Sequence, residues 1–315
     1  MPAAPELAPT TDLTDAYPEW QELRAALRRE DWPTARRLIT DQPPSVQTQL
    51  IWQVDDESQI RPLVQQRVDA DPDDSVAAAV LGRLMIHDAW QVRTGARAKN
   101  VSRDQFRTFH EMLRTAERML IDAAAHQPTD CSIWACRLIT ARGLELGQSE
   151  ARRRYDRLAE QDPHHLPGQE LMLQQLCPKW GGTYDDMHGF ARDVALAAPE
   201  GALNASLIAQ AHFEHLLDLN SWEIARYATA EVKEEVRMAA ARSVLHPGFR
   251  PTYGWIDAAS RFALIFSMFD DHAAAAPHFQ ALGNRVSRNV WGYFDDPVAM
   301  FVESRRKALA AGGAR

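Results

Sequence analysis

The stretch Ala151-Arg152-Arg153-Arg154-Tyr155-Asp156-Arg157-Leu158-Ala159-Glu160-Gln161-Asp162-Pro163 decides the fold. Ala151, Tyr155 and Leu158 are spaced by four and then three residues, which places them on one face of a helix. Pro163 comes five positions after Leu158, where a residue without a backbone N–H ends the helix and turns the chain. The same offsets recur on both sides: Ala116, Leu120 and Ala123 stand before Pro128, and Met187, Ala191 and Val194 before Pro199. The three prolines lie 35 and 36 positions apart. A small residue allows close helix approach, a larger one fills the groove beside it, and proline opens the next unit. Recurrence at this interval is the signature of a helical-hairpin repeat.

The rest of the chain fits this pattern. Trp20, Leu23, Ala26 and Leu27 make one face of a helix over Pro18–Arg29, and Asp31-Trp32-Pro33 reads as an N-cap followed by a first helical turn. Pro43-Pro44 breaks the chain before Ser45–Trp52, and Ile60, Val64 and Val68 mark a further helix. Glu231–Val244, Trp255–Phe269 and Asp271–Leu282 continue the series, and Pro297–Ala310 is expected to cap it. Runs of alternating β-branched residues and Asn-Gly or Asp-Gly hairpin signals are missing, so the expected class is all-α. Residues 1–16, acidic and proline-rich, are expected to form a disordered arm, and 311–315 a disordered tail.

The hairpin pattern resembles the tetratricopeptide repeat, most clearly over residues 58–199. The first unit departs from it, with 56 positions between Pro72 and Pro128. The excess is expected to lengthen the helices around Gly95–Asp104, a stretch where Arg93, Arg97, Lys99 and Arg103 could dock an acidic partner or form a solvated loop. The resemblance implies a right-handed α-solenoid of antiparallel helix pairs, continuous over 17–310 and capped by 250–310. It also implies a concave groove lined by the first helix of each pair, including Trp134, Arg137 and Gln169.

One local motif stands out. Pro178-Lys179-Trp180-Gly181-Gly182-Thr183 interrupts two helices, with two glycines able to supply positive φ or a close backbone approach. With Met187 and Phe190-Ala191 following, it resembles a loop in a bacterial family of helical-repeat proteins of unknown function that carry a basic residue, Trp-Gly-Gly and a small hydroxyl residue. Lys179, Trp180, Gly181 and Gly182 are thus candidate ligand-contacting residues. The competing reading has Trp180 folded back as a plug between helices while the glycines make the turn.

Composition narrows the function. The chain has 315 residues, 45% hydrophobic, with a formal net charge of -8. This argues against a nucleic-acid binder, and no apolar run is long enough for a membrane span. Cys131, Cys136 and Cys177 fit neither a disulfide framework nor a zinc spacing and read as buried thiols of a cytoplasmic protein. Among 11 histidines the best metal candidate is His212-Phe213-Glu214-His215, whose offset of three differs from the spacing of four in the zincin motif. Ile208, Ala211 and Leu219 share that face, which favours packing histidines. No phosphate loop, dinucleotide fingerprint or nucleophile elbow is present. The expected function is a non-catalytic scaffold for a protein or peptide partner, without a cofactor, as an accessory in a bacterial biosynthetic or signalling cluster. The alternative is a metal-dependent enzyme or metalloprotein using His212 and His215 near the Trp180 loop.

Overall fold

Local chemistry fixes where the helices begin. Asp31, Asp74, Asp130, Asn220, Thr229, Asp271 and Ser287 each accept a backbone N–H in the first turn of the helix that follows, satisfying donors that a helix start leaves without partners. Ser102 and Gln105 form a reciprocal capping box. A computed structural model describes residues 8–56, 58–94 and 100–312. The described residues form seventeen α-helices and no strand, which makes the protein all-α, as expected. Residues 1–7, 97, 99 and 313–315, which enter the arm, insertion and tail expectations, lie outside the described residues.

The chain divides into two compact units. The first, residues 18–183, holds α1 (Pro18–Arg28), α2 (Trp32–Thr40), α3 (Pro44–Trp52), α4 (Arg61–Ala70), α5 (Ser75–Arg93), α6 (Arg103–His126), α7 (Cys131–Gly143), α8 (Gln148–Ala159) and α9 (Leu166–Leu176). Helices α5 to α9 pack each on the next, and α5 and α9 both also pack on α7. Thus α5, α7 and α9 form one layer and α6 and α8 another. The excess length between Pro72 and Pro128 goes largely into α5 and α6, which run 19 and 24 residues.

The layer of α5, α7 and α9 does not present an open groove, because α3 packs against all three. Thr48, Leu50 and Ile51 of α3 are buried. The Thr48 hydroxyl lies 2.8 Å from Ser132 Oγ on α7 and 3.0 Å from His165 Nε2 at the start of α9. His165 Nδ1 accepts the Gly168 N–H, so the ring proton sits on Nε2 and is donated to Thr48 and the Pro44 carbonyl.

The second unit, residues 8–17 with 184–312, holds α10 (Tyr184–Ala197), α11 (Ser206–Leu216), α12 (Ser221–Tyr227), α13 (Ala230–Arg242), α14 (Trp255–Met268), α15 (His272–Leu282), α16 (Arg288–Trp291) and α17 (Pro297–Gly312). Here α10 packs on α11, α11 on α13 and α14, α14 on α15, and α15 on α17. Phe262, Phe266, Phe279, Trp291 and Phe301 fill its core. The arm is corrected for residues 8–16. The Thr10 N–H donates to the Asn284 carbonyl at 2.9 Å and its carbonyl accepts from Val286 N–H at 2.8 Å, while Tyr17 Oη accepts from Ile256 N–H. All nine residues at the repeating offsets, on α6, α8 and α10, are buried, because one helix face meets one neighbour.

Candidate functional site

The groove residues implied by the repeat resemblance are interior. Trp134, Arg137 and Gln169 are 6%, 7% and 1% exposed. Trp134 Nε1–H donates to the Pro128 carbonyl at 2.7 Å and Gln169 Nε2–H to the Pro163 carbonyl at 3.0 Å, so both brace the turns that open their hairpins. Arg137 projects from α7 toward α6 and α8, stacked on Trp134 at 4.8 Å and paired with Glu117 at 3.1 Å. Arg154 of α8 also pairs with Glu117, at 2.9 Å, and the Thr140 hydroxyl donates to the same carboxylate. Burial of a carboxylate and two guanidinium groups demands such mutual satisfaction. These residues do not line a surface, which corrects that expectation.

The Trp180 loop is a turn built around a close backbone contact. Pro178–Trp180 forms one 3₁₀ turn, and Gly181 is left-handed at φ 85°. A Cβ on Gly182 would lie 2.0 Å from the Leu176 carbonyl oxygen, so only glycine fits. The half-buried Trp180 ring meets Trp90 edge-on at 6.2 Å, with the guanidinium groups of Arg142 and Arg93 at 5.7 and 6.0 Å. Its carbonyl accepts from Gln148 Nε2–H at 3.1 Å. Trp180 therefore ties the ends of α5, α7 and α9 together, while Lys179 is exposed. Arg93 is buried against these rings instead of forming part of a free basic patch.

His212 and His215 join a larger cluster in the second unit, with His188 from α10, Tyr227 from the end of α12 and Glu235 from α13. His212 is buried, and the other four are half-buried. Glu235 is held down to about 2 by the His212 N–H and by Arg192, whose guanidinium also pairs with it at 2.6 Å. It is therefore a carboxylate, and His212 Nε2–H donates to it at 3.1 Å. His212 Nδ1 is left as an acceptor, and the Tyr227 hydroxyl donates to it at 2.7 Å. The Tyr227 oxygen lies 3.3 Å from His188 Nε2, which is 3.2 Å from His215 Nδ1. A proton on His188 Nε2 serves both contacts. Burial, with His212 and His215 beside it, pushes His188 down to about 3, so its ring is neutral near pH 7. Tyr184 stacks on His215 at 3.7 Å and donates to Asp218.

The cluster is a continuous hydrogen-bonded relay, Glu235–His212–Tyr227–His188–His215. Among the described residues no group of three or more His, Cys, Asp or Glu is placed to hold a metal ion. The sequence pattern brought out only the two residues on α11. His188, Tyr227 and Glu235 come from three other helices, and no local spacing joins them.

No known protein-family profile matches the chain. No curated protein and no solved structure matches it either.

Proposed function

We propose that the protein is a binding scaffold whose hairpins stack in the manner of an α-solenoid within each unit, and that it engages a protein or peptide through α12. One observation carries this reading. Helix α12 buries none of its residues, yet it is firmly capped by Asn220 and Glu223 and holds Trp222 65% exposed with the Arg226 guanidinium 4.7 Å above its ring. Trp and Arg are the residue types most enriched where partners bind tightly. An ordered, exposed Trp–Arg pair loses little side-chain freedom on binding. Because α3 occupies the face of α5, α7 and α9, the reading moves away from the repeat groove. Three buried cysteines outside any disulfide support a reducing, cytoplasmic setting.

The test is in-cell photo-crosslinking from position 222, with position 146, an exposed leucine of the other unit, as the control. The expected result is one dominant protein adduct from 222 that Arg226→Glu abolishes. Equal adduct patterns from 222 and 146 would overturn the proposal.

A further inference from the structure

Two hydrogen bonds of the cluster meet at the Tyr227 hydroxyl, one to His212 Nδ1 and one from His188 Nε2, and that arrangement has chemical content. We propose that Tyr227, His212 and Glu235 form a proton-transfer triad in which Tyr227 is the nucleophile, His212 Nδ1 the base and Glu235 the residue that fixes the base's tautomer, acting on an uncharged acyl-type electrophile. This goes beyond the binding proposal and stands on different side chains.

The geometry meets each requirement of an activated hydroxyl. Nucleophile and base are 2.7 Å apart, and base and orienting carboxylate are 3.1 Å apart, within the reach such units need. Glu235 is fixed in turn by Arg192 at 2.6 Å, so the carboxylate cannot swing away. Burial and the nearby Glu235 charge push the Tyr227 phenol above its ordinary range. It therefore stays protonated at neutral pH and reacts only as its proton leaves for His212, like other weakly acidic hydroxyls paired with a base. The second neighbour, His188 Nε2–H at 3.3 Å, fixes the direction of the phenol by donating to its oxygen.

The charge of the surroundings selects the electrophile. Glu235 stands beside Tyr227, Asp218 beside His215 and Asp185 beside Arg192, and Arg192 is already committed to Glu235. Phosphoryl and other anionic groups are repelled there, while a neutral ester or thioester is not. In the step itself Tyr227 Oη bonds to the acyl carbon and its proton passes to His212 Nδ1. The carbon–leaving-group bond breaks, and the leaving alcohol or thiol takes that proton.

An arylsulfonyl fluoride tests the triad without knowledge of the substrate. Tyr227 Oη would bond to sulfur as the sulfur–fluorine bond breaks, fluoride would depart, and the phenolic proton would move to His212. The full-length protein is incubated with benzenesulfonyl fluoride at neutral pH, and modification of each tyrosine is timed by peptide mass spectrometry. Tyr293, 54% exposed, is the internal standard. The expected result is Tyr227 modified about a hundredfold faster than Tyr293, the lower end of what a positioned base supplies. His212→Asn and Glu235→Gln should bring Tyr227 down toward the rate of Tyr293. A wild-type Tyr227 no faster than Tyr293 would mean that it serves only to anchor α12, and the proposal would fall. An unchanged Tyr227 rate in His212→Asn, with native circular dichroism, would equally sink it. Should that variant not fold, the wild-type ratio and Glu235→Gln decide. Because no arm touches Trp222, failure here leaves the binding proposal standing.

Discussion

Glu117 receives two guanidinium groups and a hydroxyl in the interior of the first unit, Arg137 and Thr140 from one turn of α7 and Arg154 from α8. Removing one member of such a set strands the others away from water. Glu117→Ala is expected to cost about 3–5 kcal/mol, the range for breaking a buried pair, read as a lowered urea midpoint with an unchanged denaturant slope. Gly182→Ala acts by steric means alone. With the added carbon 2.0 Å from a backbone oxygen, the loop must shift, at an expected cost of about 1–3 kcal/mol. Trp180→Ala should lower the melting temperature, since the ring joins three helix ends. The Gly-Gly pair signalled this turn plainly. Arg137 was less legible: its residue type suggested a surface, and only the carboxylate 20 positions earlier, on another helix, explains its burial.

At the scale of elements, helix boundaries and buried faces were readable because both follow from local rules. Prolines, caps and offsets of three and four need no knowledge of what lies across the interface. The role of α3 was not readable. Its helix is signalled by Pro43-Pro44, but its contacts with Ser132 and His165 lie 84 and 117 residues away. Thr48→Val, nearly equal in shape, removes the hydroxyl between two buried polar groups and should destabilise the protein by about 1–3 kcal/mol in chemical denaturation. Helix α12 should behave in the opposite way. Trp222→Ala is expected to change stability by no more than about 0.5 kcal/mol, since the ring is mostly exposed beside Arg226. A large loss would show that α12 is structural. The hydrogen-bonded relay was illegible for the same reason as the α3 contacts: only the relation of His212 to His215 is local.

At the scale of the whole molecule, buried histidines set the response to acid. Burial holds His278, stacked against Phe262 and Phe266, down to about 3 and His165 down to about 4, and His188 lies at about 3. In the unfolded chain each takes up a proton near pH 6.5, while the folded protein resists until the lower value. The stability each contributes is therefore complete above about pH 6.5 and lost as pH falls from there toward 3–4. Each depressed histidine adds a slope of about 1.4 kcal/mol per pH unit across that window. Urea midpoints measured between pH 7 and pH 5 should fall steeply, and His278→Phe should flatten the fall. A midpoint independent of pH in this range would contradict neutral burial of these rings. Glu235, held at about 2, pulls the same way at lower pH, contributing above about 4.5 and ceasing to contribute as it protonates.

The strap that α3 lays over α5, α7 and α9 also bears on the order of assembly. Ribosomal synthesis releases α3 more than a hundred residues before the start of α9, so its apolar side must wait, uncovered, while the hairpins that will receive it are still being made. Once docked, it touches three successive hairpins at once, and a row of neighbours that would otherwise fray one by one is bound to loosen together. Amide hydrogen exchange should therefore give α5, α7 and α9 one common opening rate, with α3 exchanging in step with them.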